Sequence, residues 1–354
     1  MSFLQSLLYR PFFIRLFHWE YWSFGTVYAP IIPIFLFLCL RARSFFFYSA
    51  ANPTIENGGF LMESKKKIYA LLPAGSYPTT LSFPAGVEAI KAIETVAQAG
   101  LVYPLIAKPD IGARGMGVRT LRREEDLLQY CRETPLDFLV QERIIYPLEA
   151  GIFYARLPDE KQGRLTGIVT KEFMAVTGDG QASIRQLVGR EKRYVLQIKN
   201  LEKMYGSQLE RVLAKGERLE LVPFGNHARG ARFIDDSHLV DALLTEQINK
   251  ICLQVPGFHY GRLDIRFQSW EDLKQGRNFS VIELNGAGSE PTHIYDPKHS
   301  IFFAWKEIIR HWVILWRISR QQHRKGIPYM SFQAGRQMFR DNKVFEKKIA
   351  EIYV

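Results

Sequence analysis

Two stretches near residue 280 carry acids and bases at strand spacing. In Tyr260-Gly-Arg262-Leu-Asp264-Ile-Arg266-Phe267 every second residue is charged, and Val281-Ile-Glu283-Leu-Asn285 repeats the pattern with an acid and an amide. Side chains alternate faces along a strand, so Arg262, Asp264 and Arg266 share one face while Leu263, Ile265 and Phe267 share the other. Paired antiparallel, the two strands would gather Asp264, Glu283 and Asn285 into one oxygen-rich cluster. Hard oxygen ligands that leave room for water and phosphate are what Mg²⁺ requires. A hairpin with one solvated face has the same alternation, so the choice falls to the rest of the chain.

Upstream, Tyr103-Pro-Leu-Ile-Ala-Lys108 reads as an apolar strand that ends in a lysine and opens into a basic loop containing Gly112, Gly115 and Gly117. Glycines let backbone N–H groups approach phosphate oxygens, and a lysine beside them adds a point charge. A Walker loop would end in Gly-Lys-Ser/Thr and a dinucleotide fingerprint would read G-x-G-x-x-G, so the order here excludes both. An ordinary hairpin turn remains the alternative. The next segment begins as the strand Phe138-Leu-Val-Gln-Glu142 and becomes a connector with a second acid, Glu149, seven residues on.

Lysine before a glycine-rich loop, Glu-x6-Glu, Arg-x-Asp and then Glu-x-Asn, in that order, resembles the ATP-grasp superfamily. The carboxylate–amine ligases of the D-alanine–D-alanine ligase and cyanophycin synthetase kind are nearest. Val176-Thr-Gly178-Asp-Gly180 and Phe224-Gly-Asn226-His-Ala-Arg229 look most like cyanophycin synthetase, and the likeness covers roughly residues 86 to 310. It implies an α/β (α+β) ATP-grasp fold, two lobes holding ATP between them. It implies that Lys108 and Lys171 contact the α- and β-phosphates and that the Gly112–Gly117 loop closes as a lid. Glu142 matches the adenine end and Glu149 the acid at the ribose. Asp264, Glu283 and Asn285 match the Mg²⁺ ligands, with Glu283 bridging two ions, and Arg262 the arginine that steadies the transferred phosphoryl group. Arg229 is a further fixed cation for developing charge. The sequence departs from the family after Asn285, where Gly-Ala-Gly-Ser289-Glu-Pro-Thr292-His293 stands, and that leaves the acceptor unnamed.

Composition is globular, 47% hydrophobic and 23% charged, without repeats. Cys39, Cys131 and Cys252 lack metal spacing, which predicts buried thiols in a reducing compartment. His227, His259 and His293 fall near the suspected site, and two readings stay open for them, structural hydrogen-bonding histidines or groups that orient substrate. Net charge +11 suits an anionic partner. No nucleic-acid motif accompanies it, whereas the basic clusters flank apolar segments, as anionic lipid would favour.

Composition sets apart a hydrophobic aromatic arm (1–48), and the resemblance implies a reduced N-terminal substrate lobe with a linker helix (49–100), a small nucleotide lobe (101–150), a large lobe with the metal site (151–310) and a helical tail (311–354). Ser23 to Leu40 is uncharged and just long enough for a bilayer, but Pro30 and Pro33 interrupt it and arginines flank both ends. Three readings stay open: a re-entrant or interfacial anchor, a single span, and an arm buried against the protein or a partner. On the first, the protein works in the cytoplasm at the inner membrane face, and a chain starting near Ser49 should fold and bind ATP. Glu63 to Pro73 reads as a strand, Val87 to Ala99 as a helix stopped by Gly100, and Ile301 to Arg320 as a closing helix. Three functions compete: a Mg²⁺-dependent ligase of small carboxylates and amines, a kinase on the same fold, and a nucleotide-binding subunit without turnover. The oligomeric state is not readable from the chain.

Overall fold

The computed structural model describes residues 10–112, 115–222 and 230–353, and two compact units divide the chain. The larger takes 33–168, 237–291 and 308–354; the smaller takes the chain up to 32, 169–236 and 292–307. The architecture mixes helix and sheet, as the sequence predicts.

In the larger unit β1 (Thr80–Phe83), β2 (Leu105–Pro109), β3 (Arg119–Leu121) and β4 (Phe138–Glu142) form an antiparallel sheet in the order β1-β4-β2-β3. Helices Ala89–Gln98 and Glu124–Glu133 supply Ala92, Val96, Leu127 and Tyr130 to its core, against Leu105, Leu121 and Phe138. The first of these helices stops at Gly100, which takes the left-handed φ of 69° that a helix terminator needs. Glu63 to Pro73 is not a strand. Ser64 caps a helix over Lys65–Leu71 by accepting from the Lys67 amide, and Ile68, Tyr69 and Leu72 bury a helical face that outweighs the alternation expected there.

β5 (Leu148–Ala155) follows, then β6 (Arg164–Glu172), which begins in the larger unit and ends in the smaller. Within the smaller unit β7 (Met174–Thr177) pairs with β8 (Arg218–Val222), and the end of β6 pairs with β9 (Arg232–Asp235). Returning to the larger unit, β10 (Tyr260–Phe267) lies between β5 and β11 (Phe279–Asn285), antiparallel to both. One face of these strands buries Leu263, Ile265, Val281 and Leu284 with Leu244, Ile248 and Ile251 of helix Ala242–Cys252. On the other side, Tyr260 and Ala155 join Ile314, Leu315 and Ile318 of helix Ile301–Arg324.

The arm divides between the units. In the smaller one Trp19 Nε1 donates to the His299 carbonyl at 2.8 Å and stacks on Tyr295, Glu20 pairs with Arg193 at 2.8 Å, and Trp305 Nε1 donates to the Val27 carbonyl. In the larger one Leu38, Cys39, Phe46, Phe47 and Tyr48 are core residues beside Ile314 and Ile318. The span Phe24–Ala42 is long and apolar enough to cross a membrane, and 28% of its most apolar 18-residue stretch is buried. A chain starting at Ser49 would lack Leu38, Cys39, Phe46, Phe47 and Tyr48, which pack in this core. All three cysteines are free and buried.

The loop after the arm is tied to β10 by one amide. Asn52 Oδ1 accepts from the His259 and Tyr260 amides at 2.9 and 3.0 Å, and its Nδ2 donates to the Gly58 and Tyr260 carbonyls at 2.9 and 2.8 Å. Truncation removes four buried hydrogen bonds to backbone groups, of which the Gly58 carbonyl keeps another partner, the Ala287 amide, so Asn52→Ala should cost about 3 kcal/mol, read from urea denaturation. Burial, with Arg156 adding, pushes the His259 imidazole down to about 4. An unfolded imidazole titrates near 6.5, so the unfolded chain binds more protons between these values. Stability therefore falls as pH drops from about 6.5 to about 4. In His259→Gln the urea midpoint should depend less on pH across that window than in wild type.

Candidate nucleotide and acid site

The antiparallel pairing expected of the two charged strands is present, with Asp264 opposite Glu283 and Arg262 opposite Asn285. The register shifts between Asp264 and Ile265, so that Ile265 faces Val281 and Ile282 is the extra residue of a bulge. A strict two-residue period could not bury both Val281 and Leu284. The bulge lets both enter the core while Glu283 and Asn285 stay on the polar face.

The bulge also exposes a carbonyl to a lysine. Lys108, at the end of β2, donates to Tyr69 Oη at 2.8 Å and reaches the Ile282 carbonyl at 3.4 Å, and Tyr69 Oη donates to that same carbonyl. Lys108 is buried, and burial pulls its ammonium down to about 8 against the opposing attraction of Glu283. The expected cluster is thus assembled in one unit: Lys108 stands beside the strand that carries Glu283 and Asn285.

Cations hold the acids. Arg262 grips Asp264 through two hydrogen bonds of 3.0 and 2.9 Å, and Asn285 Nδ2 lies 3.4 Å from the same carboxylate. Glu283, 36% exposed, has Lys65 Nζ at 3.6 Å. Lys65 also donates to the Gly112 carbonyl at 2.6 Å, and the Lys66 amide donates to Asp110 Oδ1 at 2.7 Å. The first turn of helix Lys65–Leu71 therefore latches the glycine loop. Gly112, Gly115 and Gly117 all take positive φ, which only glycine adopts at little cost. Ile349 of the C-terminal helix packs against Gly112.

Other expected residues have different surroundings. Glu149 on β5 is paired to Arg266 at 3.0 Å, and Arg266 also donates to the Ile144 carbonyl. Glu142 ends β4 with its side chain exposed, 3.4 Å from the Thr79 amide. Lys171 belongs to the smaller unit, on β6 opposite Phe233. Arg229, Asn226 and His227 lie outside the described residues. His293 faces Glu307 at 3.3 Å within the smaller unit. Sequence reading missed Glu63, Lys65 and Tyr69, which line a small cavity with Glu283 and Asn285. A helical reading of Ser64-Lys-Lys-Lys-Ile-Tyr, with serine as its cap, would have found them.

No protein-family model matches the chain, and no curated protein does. Among solved structures it is similar to the bifunctional glutathione synthetase of Pasteurella multocida, at 16% identity over 73% of this chain and 36% of that one, TM-score 0.41. D-alanine–D-alanine ligase of Bacillus anthracis gives 14% identity over 74% and 69%, TM-score 0.40. The VanG D-Ala:D-Ser ligase of Enterococcus faecalis gives 13% over 76% and 64%, TM-score 0.39. The chain spans little more than a third of the first of these. Likenesses this slight leave the chemistry to be argued from the chain's own residues.

Among the described residues no three of His, Cys, Asp and Glu stand as a metal-holding group. The donor chemistry of Asp264, Glu283 and Asn285 nevertheless suits Mg²⁺, being all oxygen once the amide presents its carbonyl. Glu63 adds a buried oxygen, Oε2, without a hydrogen-bond partner. Burial raises the Glu63 carboxyl, and Glu283 and Glu56 raise it further.

Lys108→Ala should weaken ATP binding by roughly 1.5–3 kcal/mol, the worth of a charged hydrogen bond, with exposed Lys203→Ala as the neutral control in calorimetry. Because the Lys108 charge is lost as pH rises through about 8, wild-type affinity should fall between pH 7 and 9. Lys108→Arg, which keeps its charge, should not show that fall.

Proposed function

We propose that the chain is an ATP-dependent ligase that joins a small carboxylate to an amine through an acyl phosphate, with Mg²⁺ held by Asp264, Glu283 and Asn285. The carrying observation is the convergence of Lys108, the Gly112 loop and the β10–β11 acids within the larger unit. Cations for phosphate and oxygens for a divalent ion are what this chemistry needs together.

In that reaction a substrate carboxylate oxygen attacks the γ-phosphorus of ATP while the bond to the bridging oxygen breaks and ADP leaves. The amine then attacks the acyl carbon, the C–O bond to phosphate breaks, and the amine gives up its proton. Lys108 and the glycine-loop amides hold the phosphates, and Glu142 and Glu149 face the base and ribose. Arg262, already poised on Asp264, steadies the charge that develops on the transferred group. Asp264, Glu283 and Asn285 would hold Mg²⁺, which would supply charge neutralisation across the phosphates. No protein nucleophile is required, because holding the two substrates side by side replaces a rare encounter. The enzyme works in the cytoplasm, attached to the inner membrane face through its arm.

Small carboxylates screened with ATP and hydroxylamine should give ADP and a hydroxamate. ADP without hydroxamate but with a phosphorylated hydroxyl product would show a kinase instead. Glu283→Gln and Asp264→Asn should each abolish ADP release while circular dichroism stays that of wild type. Full activity in either at ordinary magnesium would remove the acids from the reaction.

A further inference from the structure

A cavity of about 660 Å³ opens in the larger unit where helices Ile32–Ala42 and Ile301–Arg324 end and helix Phe332–Tyr353 begins. Arg41, Arg43, Arg320, Arg324 and His323 line it, with no acidic side chain among the lining residues. None of the nucleotide-site residues belongs to it.

The arginines are gathered at a cost. Arg41 and Arg320 both lie over the Trp316 ring, at 5.9 and 5.1 Å from its centroid, so two like charges share one indole. Arg43 takes a φ of 55°, the left-handed helix-end position where glycine is favoured. A cation in the last turn of each helix complements the helix dipole. That accounts for one arginine per helix end, not for four around one cavity. Such an arrangement suits a dianionic or monoanionic phosphate group, which guanidinium forks bind bidentately.

Beside the cavity stand apolar side chains that are exposed among the described residues. Leu40 is 76% exposed, and Phe37, Phe45 and Phe332 are each more than half exposed, with the Phe45 and Phe332 rings 5.9 Å apart. A phosphate site bordered by exposed apolar residues fits an amphiphile whose charged head enters the cavity while its chains meet the apolar border.

We propose that this cavity binds the phosphate headgroup of an anionic membrane lipid, with Phe37, Leu40, Phe45 and Phe332 entering the lipid surface. The proposal rests on the membrane attachment stated above and is independent of the ligase chemistry.

Flotation of the full chain with vesicles tests it. Wild type should float with phosphatidylcholine vesicles containing phosphatidylglycerol and not with phosphatidylcholine alone. Arg41→Gln combined with Arg320→Gln should lower affinity about tenfold or more. Lys91→Gln combined with Arg132→Gln, which removes the same charge from exposed sites elsewhere, should change it about twofold at most. Arg43→Gly relieves the left-handed strain, so it should raise Tm while lowering vesicle binding; arginines that serve only the helix ends would leave binding unchanged. Equal binding by wild type and the double arginine variant would overturn the cavity, and equal loss in the lysine–arginine control would reduce it to net charge. Failure of wild type to float with either vesicle would overturn the membrane attachment itself. Stabilisation by soluble glycerol phosphate without flotation would identify a free phosphate ester as the occupant and overturn the lipid.

Discussion

A buried ammonium governs the organisation of the larger unit. Lys108 is nearly inaccessible, and taking a charged lysine out of water is costly unless something answers the charge. Two oxygens answer it: the Tyr69 hydroxyl and the Ile282 carbonyl. Neither would be there without a departure from regular structure. The bulge leaves Ile282 out of the β10–β11 register, and helix Lys65–Leu71 brings Tyr69 across to it. Glu283, one residue further, adds a favourable field, yet the lysine remains pulled down to about 8. The lysine is therefore a cation incompletely compensated by its own fold.

The segment from Asn52 to Tyr69 carries much of that geometry, though it holds few residues with obvious chemistry. Asn52 pins its start to β10, and its glycines let it lie backbone to backbone against the segment after Asn285. The Ala287 amide donates to the Gly58 carbonyl and the Gly288 amide to Gly59. A Cβ on Gly59 would stand 2.7 Å from the Gly286 Cα. The exit of the acid-bearing strand is thereby fixed by the same segment that supplies Lys65 and Tyr69. In the region where the resemblance implies a reduced substrate lobe, the segment braces β10 and β11.

Much of the acid cluster was legible because a strand period is strict: Arg262, Asp264, Glu283 and Asn285 read directly as one polar face. The glycine loop was legible for a similar reason, since three glycines after a strand-ending lysine restrict what the backbone can do. The bulge was not read, although burying Val281 and Leu284, three apart, demands it. Lys65 and Tyr69 were missed because Lys-Lys-Lys-Ile-Tyr-Ala-Leu-Leu satisfies neither period well, and only the serine cap favours helix. The arm was read by composition alone. Composition reports that Phe46, Phe47 and Tyr48 avoid water, but not whether lipid or Ile314 and Ile318 cover them.

The two ion pairs at the site bear on how a reaction could begin. Asp264 has both oxygens engaged by Arg262, with 6% of its side chain exposed, whereas Glu283 is more open and its lysine stands 3.6 Å away. The Asp264 pair is the costlier to break, because separating buried partners leaves a charge uncompensated. Glu283 is held more loosely, by one lysine at 3.6 Å whose own side chain is 15% exposed. Glu283 is therefore the more open of the two acids, and the lysine beside it also holds the Gly112 carbonyl. Arg262 would leave Asp264 only when a second anion competes for it. Of the two acids that the sequence puts on one polar face, Asp264 is the one most restrained by its own fold.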